Sequence, residues 1–257
     1  MVKPSSSAVR SAVRALGDRR AEPDPDWVSG LTGQPVALVQ RLLNEVGQLK
    51  GIEAQIHQTL LAGGRSNYAQ FRAPFELYAL VRLLRPAHVV ETGVSSGISS
   101  AHVLLALERN GHGTLHSIDL PLVQKGPRLR ANDSPVSLPP GRSSGWAVPP
   151  SIASGWDLRI GESQTQLPAL IDELSSVGLF LHDSLHTPKH LTFELETVRP
   201  KLTTGSVVLA DNTKWTGRSF ERFAAELGVP VIRRKRVSDL VGTRIPVRPG
   251  LPDPRDQ

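Results

Sequence analysis

The sequence predicts an α/β fold: a doubly wound, mostly parallel sheet of seven strands, preceded by a helical extension. Two observations carry that expectation. Residues His88 to Leu120, HVVETGVSSGISSAHVLLALERNGHGTLHSIDL, read as strand, glycine turn, helix and strand, with an acid at the end of each strand. From Asp157 onward, short β-branched runs alternate with helical stretches, the pattern of parallel strands covered on both faces. A chain of 257 residues is long enough to bury one full core with an appendage.

The elements follow in order. Residues 1–29 are rich in Ser, Arg, Pro and Asp, and their first part is expected to be loosely ordered. Residues 30–70 form a helical lid or dimerisation extension: Val36, Val39, Leu42, Leu43, Val46, Leu49, Ile52, Ile56 and Leu60 recur at helical spacing until Gly63-Gly64. The main domain spans residues 71–247. It opens with a helix over Phe71–Leu84, stopped by Arg85-Pro86, which leads into the strand His88–Thr92. Gly93 and Gly97 make the turn, Ile98–Leu107 the helix, and Thr114–Ile118 the second strand. Residues 121–155 form a long loop rich in Pro, Gly and Ser, expected to serve as a lid or substrate loop, with Gly145-Trp146-Ala147-Val148-Pro149 its most apolar portion. Alternation then resumes: strand Asp157–Ile160, helix Gln166–Leu174, strand Val177–Leu181, helix Pro188–Leu202, strand Ser206–Leu209, helix Arg218–Leu227, strand Pro230–Arg233 and a last strand over Leu240–Val247. The tail, residues 248–257, is Pro-rich and charged.

Composition removes several function classes. There is no cysteine, which excludes disulfides, thiolate zinc sites and a cysteine nucleophile. No run of about 18 apolar residues exists, and the N-terminus carries charges where a signal peptide needs an apolar stretch. A soluble, cytoplasmic protein with no membrane partner is expected. The net charge of +6 and pI near 10.0 admit a nucleic-acid partner. The basic residues are scattered, however, except for Arg233 to Arg236 and the first twenty positions, and two Tyr and six Phe offer little for base stacking. A solvated basic surface is the preferred reading, nucleic acid the minority one. Self-association into a homo-oligomer is left open.

In open α/β sheets, ligands bind at the carboxyl ends of the strands near the reversal of strand order. The first turn lacks the G-x-G-x-x-G of dinucleotide sites, because Glu91 stands two before Gly93 and the next glycine is four later. It also lacks the G-K-[ST] of a phosphate loop. A turn glycine with a strand-end acid in another α/β fold remains the plain alternative. The spacing E-x-G-x-x-x-G, with Asp119 ending the next strand, resembles motif I and its partner in class I S-adenosylmethionine-dependent methyltransferases, a Rossmann-like family. The third turn, Gly161-Glu162-Ser163-Gln164 with Pro168-Ala169-Leu170, resembles that of the catechol O-methyltransferase type. The resemblance implies S-adenosylmethionine as cofactor. It places Glu91, Gly93, Ser95 and Gly97 on the first turn, Asp119 on the ribose hydroxyls with Leu120 beside it, and Glu162, Ser163 and Gln164 by the adenine. Asp183 is also placed on the cofactor. An N-cap pair opening the next helix is an equally sound reading of Ser163 and Gln164.

Asp183 and Asp211 end two strands that are neighbours in such a sheet. With Asn212 they would form an all-oxygen site suited to Mg²⁺ or another hard divalent cation. The run Val207–Asn212 resembles the metal-ligating D-N of the catechol-type enzymes, with Asp183 matching their other aspartate. The alternative is that both aspartates are strand-end caps or cofactor contacts. His186 departs from the lysine of the catechol type and matches the D-x-x-H of the sugar and macrolide branch. A neutral imidazole is a competent base for a metal-bound hydroxyl, so His186 and Asp183 are the catalytic candidates; Lys189 and His182 are weaker ones, and a helix-start histidine hydrogen-bonded to backbone is the plain alternative for His186. Three functions follow: metal-assisted O-methylation of a hydroxylated small molecule such as a sugar, glycoside or phenol; metal-independent N- or O-methylation, with RNA as one target; and a non-catalytic cofactor-binding module.

Overall fold

The computed structural model describes residues 22–62, 71–121, 138, 141–235 and 239–246. The expectations for the first residues, the tail and most of the stretch 122–140 lie outside the described residues. Seven strands form one sheet: β1 (His88–Thr92), β2 (Thr114–Asp119), β3 (Trp156–Ile160), β4 (Val177–His182), β5 (Leu202–Ala210), β6 (Ile232–Arg233) and β7 (Val241–Arg244). Their order is β3-β2-β1-β4-β5-β7-β6. Strands β1 to β5 are parallel, and β7 runs antiparallel between β5 and β6. Strand order therefore reverses between β1 and β4, where a ligand crevice belongs.

The helices are α1 (Pro25–Thr32), α2 (Val36–Gln48), α3 (Lys50–Ala62), α4 (Pro74–Leu84), α5 (Ile98–Asn110), α6 (Ser163–Glu173), α7 (Pro188–Val198) and α8 (Ser219–Glu226). Side chains alternate across the sheet. Val89, Leu179, Leu181, Val207 and Leu209 face α1, α2, α4 and α5, whereas Val90, Phe180, Val208 and Ala210 face α6, α7 and α8. Both faces are buried, which explains why these strands read as continuous apolar runs. Val39, Leu42, Leu43 and Val46 of α2 belong to the sheet's own core. Near the site, Leu60 of α3 packs with Ile98, Ala147 and Trp146.

Several stretches differ from expectation: residues 150–155 of the long loop form a 3-10 helix, the helix expected from Gln166 begins at Ser163, and the sixth strand is shortened to Ile232–Arg233. The helix after Pro188 stops at Val198 and passes through a 3-10 turn, Arg199–Lys201, because Pro200 lacks the N–H that a continuing α-helix needs. Leu202 to Gly205 consequently join β5, with a register shift against Val177 and Leu179. At the N-terminus, α1 crosses the boundary drawn at residue 29. Asp24 caps it by accepting from Trp27 N (3.1 Å), and Trp27 Nε1 donates to Ile232 O (3.0 Å). Arg234 is buried against Glu76 at 2.7 Å, and the neighbouring Arg233 pairs with Glu221.

Candidate active site

The parallel ladder extends one residue beyond the strands that matter. Gly93 N donates to Ile118 O (2.9 Å), Gly161 N to Asp119 O (2.9 Å), Asp183 N to Thr92 O (2.9 Å) and Asp211 N to His182 O (3.0 Å). These bonds fix the first residue after each strand and set Gly93, Asp183 and Asp211 along one edge. A Cβ on Gly93 would lie 2.0 Å from Asp183 O and 2.9 Å from Ser184 N. The glycine, at φ 85°, therefore lets the first turn lie against the Asp183–Ser184 backbone. Gly97 (φ 84°) opens α5, and a Cβ there would meet Gly145 Cα and Val148 Cγ2, each at 2.8 Å. The crowding it relieves comes from the long loop. That loop is pinned to the turn by Gly145 N donating to Ser95 O (2.8 Å) and Ala147 N to Ser96 O (2.9 Å).

The cofactor-side residues are placed as follows. Glu91 is buried, its Oε2 accepting from Ser100 (2.6 Å) and Ser117 (2.9 Å), while Oε1 has no hydrogen-bond partner among the described residues. Burial pushes its carboxyl up to about 7, although the serine hydroxyls oppose the shift. Ser95 takes a left-handed backbone (φ 49°), and its buried Oγ likewise has no partner among the described residues. Asp119 Oδ1 accepts from Val94 N (3.1 Å), and Oδ2 accepts from the Ser144 hydroxyl. A ribose hydroxyl there would share or displace Ser144, which sequence reasoning missed. Leu120 and Ile160 are half exposed at the ends of neighbouring strands, where Ile160 pairs with Asp119. Glu162 precedes α6 without a side-chain cap. Ser163 Oγ and Gln164 Nε2 instead lie 3.0 Å and 3.2 Å from the ring nitrogens of His190, so neither hydroxyl nor amide acts as an N-cap.

At the other side of the edge, His186 Nε2 lies 3.4 Å from Asp183 Oδ1 and 3.4 Å from Asn212 Nδ2. Asn212 tolerates the left-handed backbone (φ 52°) that swings it back over the strand ends. Burial would depress His186, but its hydrogen bond to Asp183 and the charges of Asp183, Asp211 and Glu194 raise it above the ordinary histidine value. Asp211 is pushed up by burial and by Asp183; Asp183 is pushed up by burial against the pull of His186. Two carboxylates held together with raised affinity for protons form a place where positive charge is stabilised. The weaker base candidates fall away on geometry. His182 is wholly buried with Nδ1 2.7 Å from Glu194 Oε2, and Lys189 points to solvent on α7.

Residues 90–213 match the methyltransferase-domain family. That stretch, from β1 to the turn after β5, is a methyltransferase domain. The fold of this methyltransferase is that of a solved Podospora anserina methyltransferase, PaMTH1, bound to SAH, at 12% identity with a TM-score of 0.52, covering 96% of this chain and 99% of that one. TomG of Streptomyces achromogenes, an O-methyltransferase involved in tomaymycin synthesis and solved with SAM, is 14% identical with a TM-score of 0.49, covering 96% and 100%. A Bacillus cereus O-methyltransferase in complex with SAH is 11% identical with a TM-score of 0.46, covering 75% and 90%. No curated protein sequence matches the chain. No helix among the described residues is long and apolar enough to cross a membrane.

Proposed function

We propose that this methyltransferase moves the methyl group of S-adenosylmethionine to a hydroxyl of a small molecule, assisted by a hard divalent cation. The observation that carries the proposal is the meeting of Asp183, His186, Asp211 and Asn212 at the ends of β4 and β5, against the glycine turn. The strand ends suit the cofactor: the glycine turn after β1 lies beside the Asp119 carboxylate at the end of β2, and Leu120 and Ile160 supply half-exposed apolar flanks. The PaMTH1 neighbour holds SAH on the same fold.

The donor set fits the cation. Among the described residues no cluster of three or more His, Cys, Asp or Glu side chains is placed for a metal ion. A cation would therefore rest on Asp183, Asp211, the Asn212 amide oxygen and water, an all-oxygen set suited to Mg²⁺. When bound it supplies Lewis acidity, lowering the pKa of an acceptor hydroxyl. His186 is positioned by Asp183 to take the acceptor's proton. The acceptor oxygen forms a bond to the methyl carbon as the carbon–sulfur bond breaks towards sulfur, leaving S-adenosylhomocysteine. Leu185 and Trp215, both more than a third exposed beside His186 and Asn212, give an apolar surface for a phenol or the aglycone of a glycoside.

The test combines calorimetric titration of S-adenosylmethionine with mass-spectrometric detection of methyl transfer to a panel of sugars, glycosides and phenols, with Mg²⁺ and with EDTA. The cofactor is expected to bind, EDTA to stop transfer, and Asp211→Ala to abolish the Mg²⁺ response while leaving cofactor binding. Absence of cofactor binding would sink the whole proposal. Transfer that survives EDTA but is lost in His186→Ala would favour a second reading, in which the Asp183–His186 pair acts as base without a metal.

A further inference from the structure

Glu194, on α7, has a wholly buried side chain that the transfer reaction does not touch. Its Oε2 accepts from the Thr92 hydroxyl (2.7 Å) and faces His182 Nδ1 (2.7 Å); its Oε1 accepts from the Ser184 hydroxyl (3.0 Å) and faces His190 Nε2 (2.9 Å). Four donors thus match the acceptor capacity of a single carboxylate. They come from four places: the end of β1 before Gly93, the end of β4, the loop after Asp183, and α7 itself. His190 carries the network onward to Ser163 and Gln164. Burial alone would raise the Glu194 carboxyl, but the histidines hold it well below the usual carboxylate range, so it stays ionised; burial holds His182 low, and its Nδ1–H donates. The His182 ring in turn meets the His186 ring edge-on, with centroids 5.5 Å apart.

We propose that Glu194 is a positioning residue that couples the Ser163–Gln164 turn, where the adenine is expected, to the Asp183–His186 loop. Filling the turn reorients His190, and Glu194 passes that change to Ser184 and His182, on either side of Asp183. Because Gly93 rests on the Asp183–Ser184 backbone, the same carboxylate also holds the first turn against the base. The transfer arm of the test rests on the function proposed above; the binding arm rests only on its cofactor site.

The test uses Glu194→Gln, which keeps the shape but replaces two acceptor sites by two donors, so that some of the four contacts become donor against donor. Histidine-ring ¹⁵N spectra, recorded as adenosine is added, are expected to show responses at His190 and His186 in the wild type and at His190 alone in the variant. With an acceptor found in the panel, kcat is expected to fall about 10- to 100-fold, the cost of slight misplacement of reacting groups. KM and the affinity for S-adenosylhomocysteine are expected to change by less than about 3-fold, since the variant leaves the cofactor contacts in place. An unchanged kcat, or a His186 response equal to that of the wild type, overturns the proposal. If the wild type methylates nothing, the function reading fails and the adenosine spectra alone decide the coupling. If Glu194→Gln does not fold, His190→Asn cuts the network where it leaves the Ser163–Gln164 turn and is read by the same spectra at saturating adenosine: loss of the His186 response supports the coupling, and an intact response overturns it.

Discussion

Glu76 and Glu194 are each at most 1% exposed, yet the molecule surrounds them with different partners. Glu76 lies on α4, where its Oε1 accepts from Arg234 Nε (2.7 Å) and Asp24 N (3.0 Å). It ties α1 and α4 to the chain that follows β6. Arginine keeps its charge at any working pH, so this junction has one state. Burial raises the Glu76 carboxyl and Arg234 pulls it back. Glu194 instead faces two histidines and two hydroxyls, partners that can rotate or change tautomer, and it stands directly behind the candidate base. Equal burial thus yields a fixed anchor in one place and an adjustable support in the other, and the partners decide which.

The largest expected effect breaks the anchor. Arg234→Met leaves Glu76 buried without its counter-ion and is expected to destabilise the fold by about 3–5 kcal/mol, read as a lower midpoint in urea unfolding. The affinity for S-adenosylhomocysteine per folded molecule should not change. A shift below about 1 kcal/mol would show that Glu76 and Arg234 are no anchor, and a weakened cofactor site would show that the two networks are not separate.

The contrast between the networks also explains what was legible in the sequence. Strands β1, β4 and β5 announce themselves because burial on both faces demands apolar, β-branched runs, and strand-end residues such as Asp183, Asp211 and Asn212 stand out against them. Helix α1 was hidden: eight residues headed by proline resemble a linker, and its anchors, Glu76 and Arg234, are remote along the chain. Ser144 was hidden because nothing in a Ser- and Gly-rich loop says which serine reaches Asp119. Glu194 did leave a signal. Leu191, Leu195 and Val198 sit at helical spacing on the buried face of α7, and Glu194, three residues after Leu191, shares that face. A carboxylate inside an apolar stripe requires buried donors, although the sequence does not say which ones.

Glu91 sharpens the comparison, because it has neither arginine nor histidine and its Oε2 is met only by serine hydroxyls. Its carboxyl is raised from 4.5 to about 7. The folded protein therefore keeps a proton that the unfolded chain releases, so stability from this group is present below pH 4.5, falls as pH rises, and levels off above about 7. That gap corresponds to a loss on the order of 3 kcal/mol. Glu91→Gln, which cannot ionise, should gain stability over the wild type by about that amount at pH 8 and by little at pH 4.5, in paired urea titrations. Equal differences at both pH values would mean that the serine hydroxyls suffice to hold the charged form.

The smallest expected effect examines the support behind the base one donor at a time. Thr92→Val preserves the shape and β-branching of the strand end but removes the hydroxyl that donates to Glu194 Oε2. A hydrogen bond to a buried charge contributes about 1.5–3 kcal/mol, and the three remaining donors keep Glu194 partnered, so a loss near 1.5 kcal/mol is expected. The decisive measurement is the same substitution made in Glu194→Gln. If Thr92 acts through the carboxylate's charge, its removal should then cost clearly less, giving a coupling energy of about 1 kcal/mol in the double-mutant cycle. A cost that is the same in both backgrounds would make Thr92 an independent packing residue. The support would then be three-membered, resting on His182, Ser184 and His190, without the direct link to the end of β1 that sets Gly93 against the Asp183 loop.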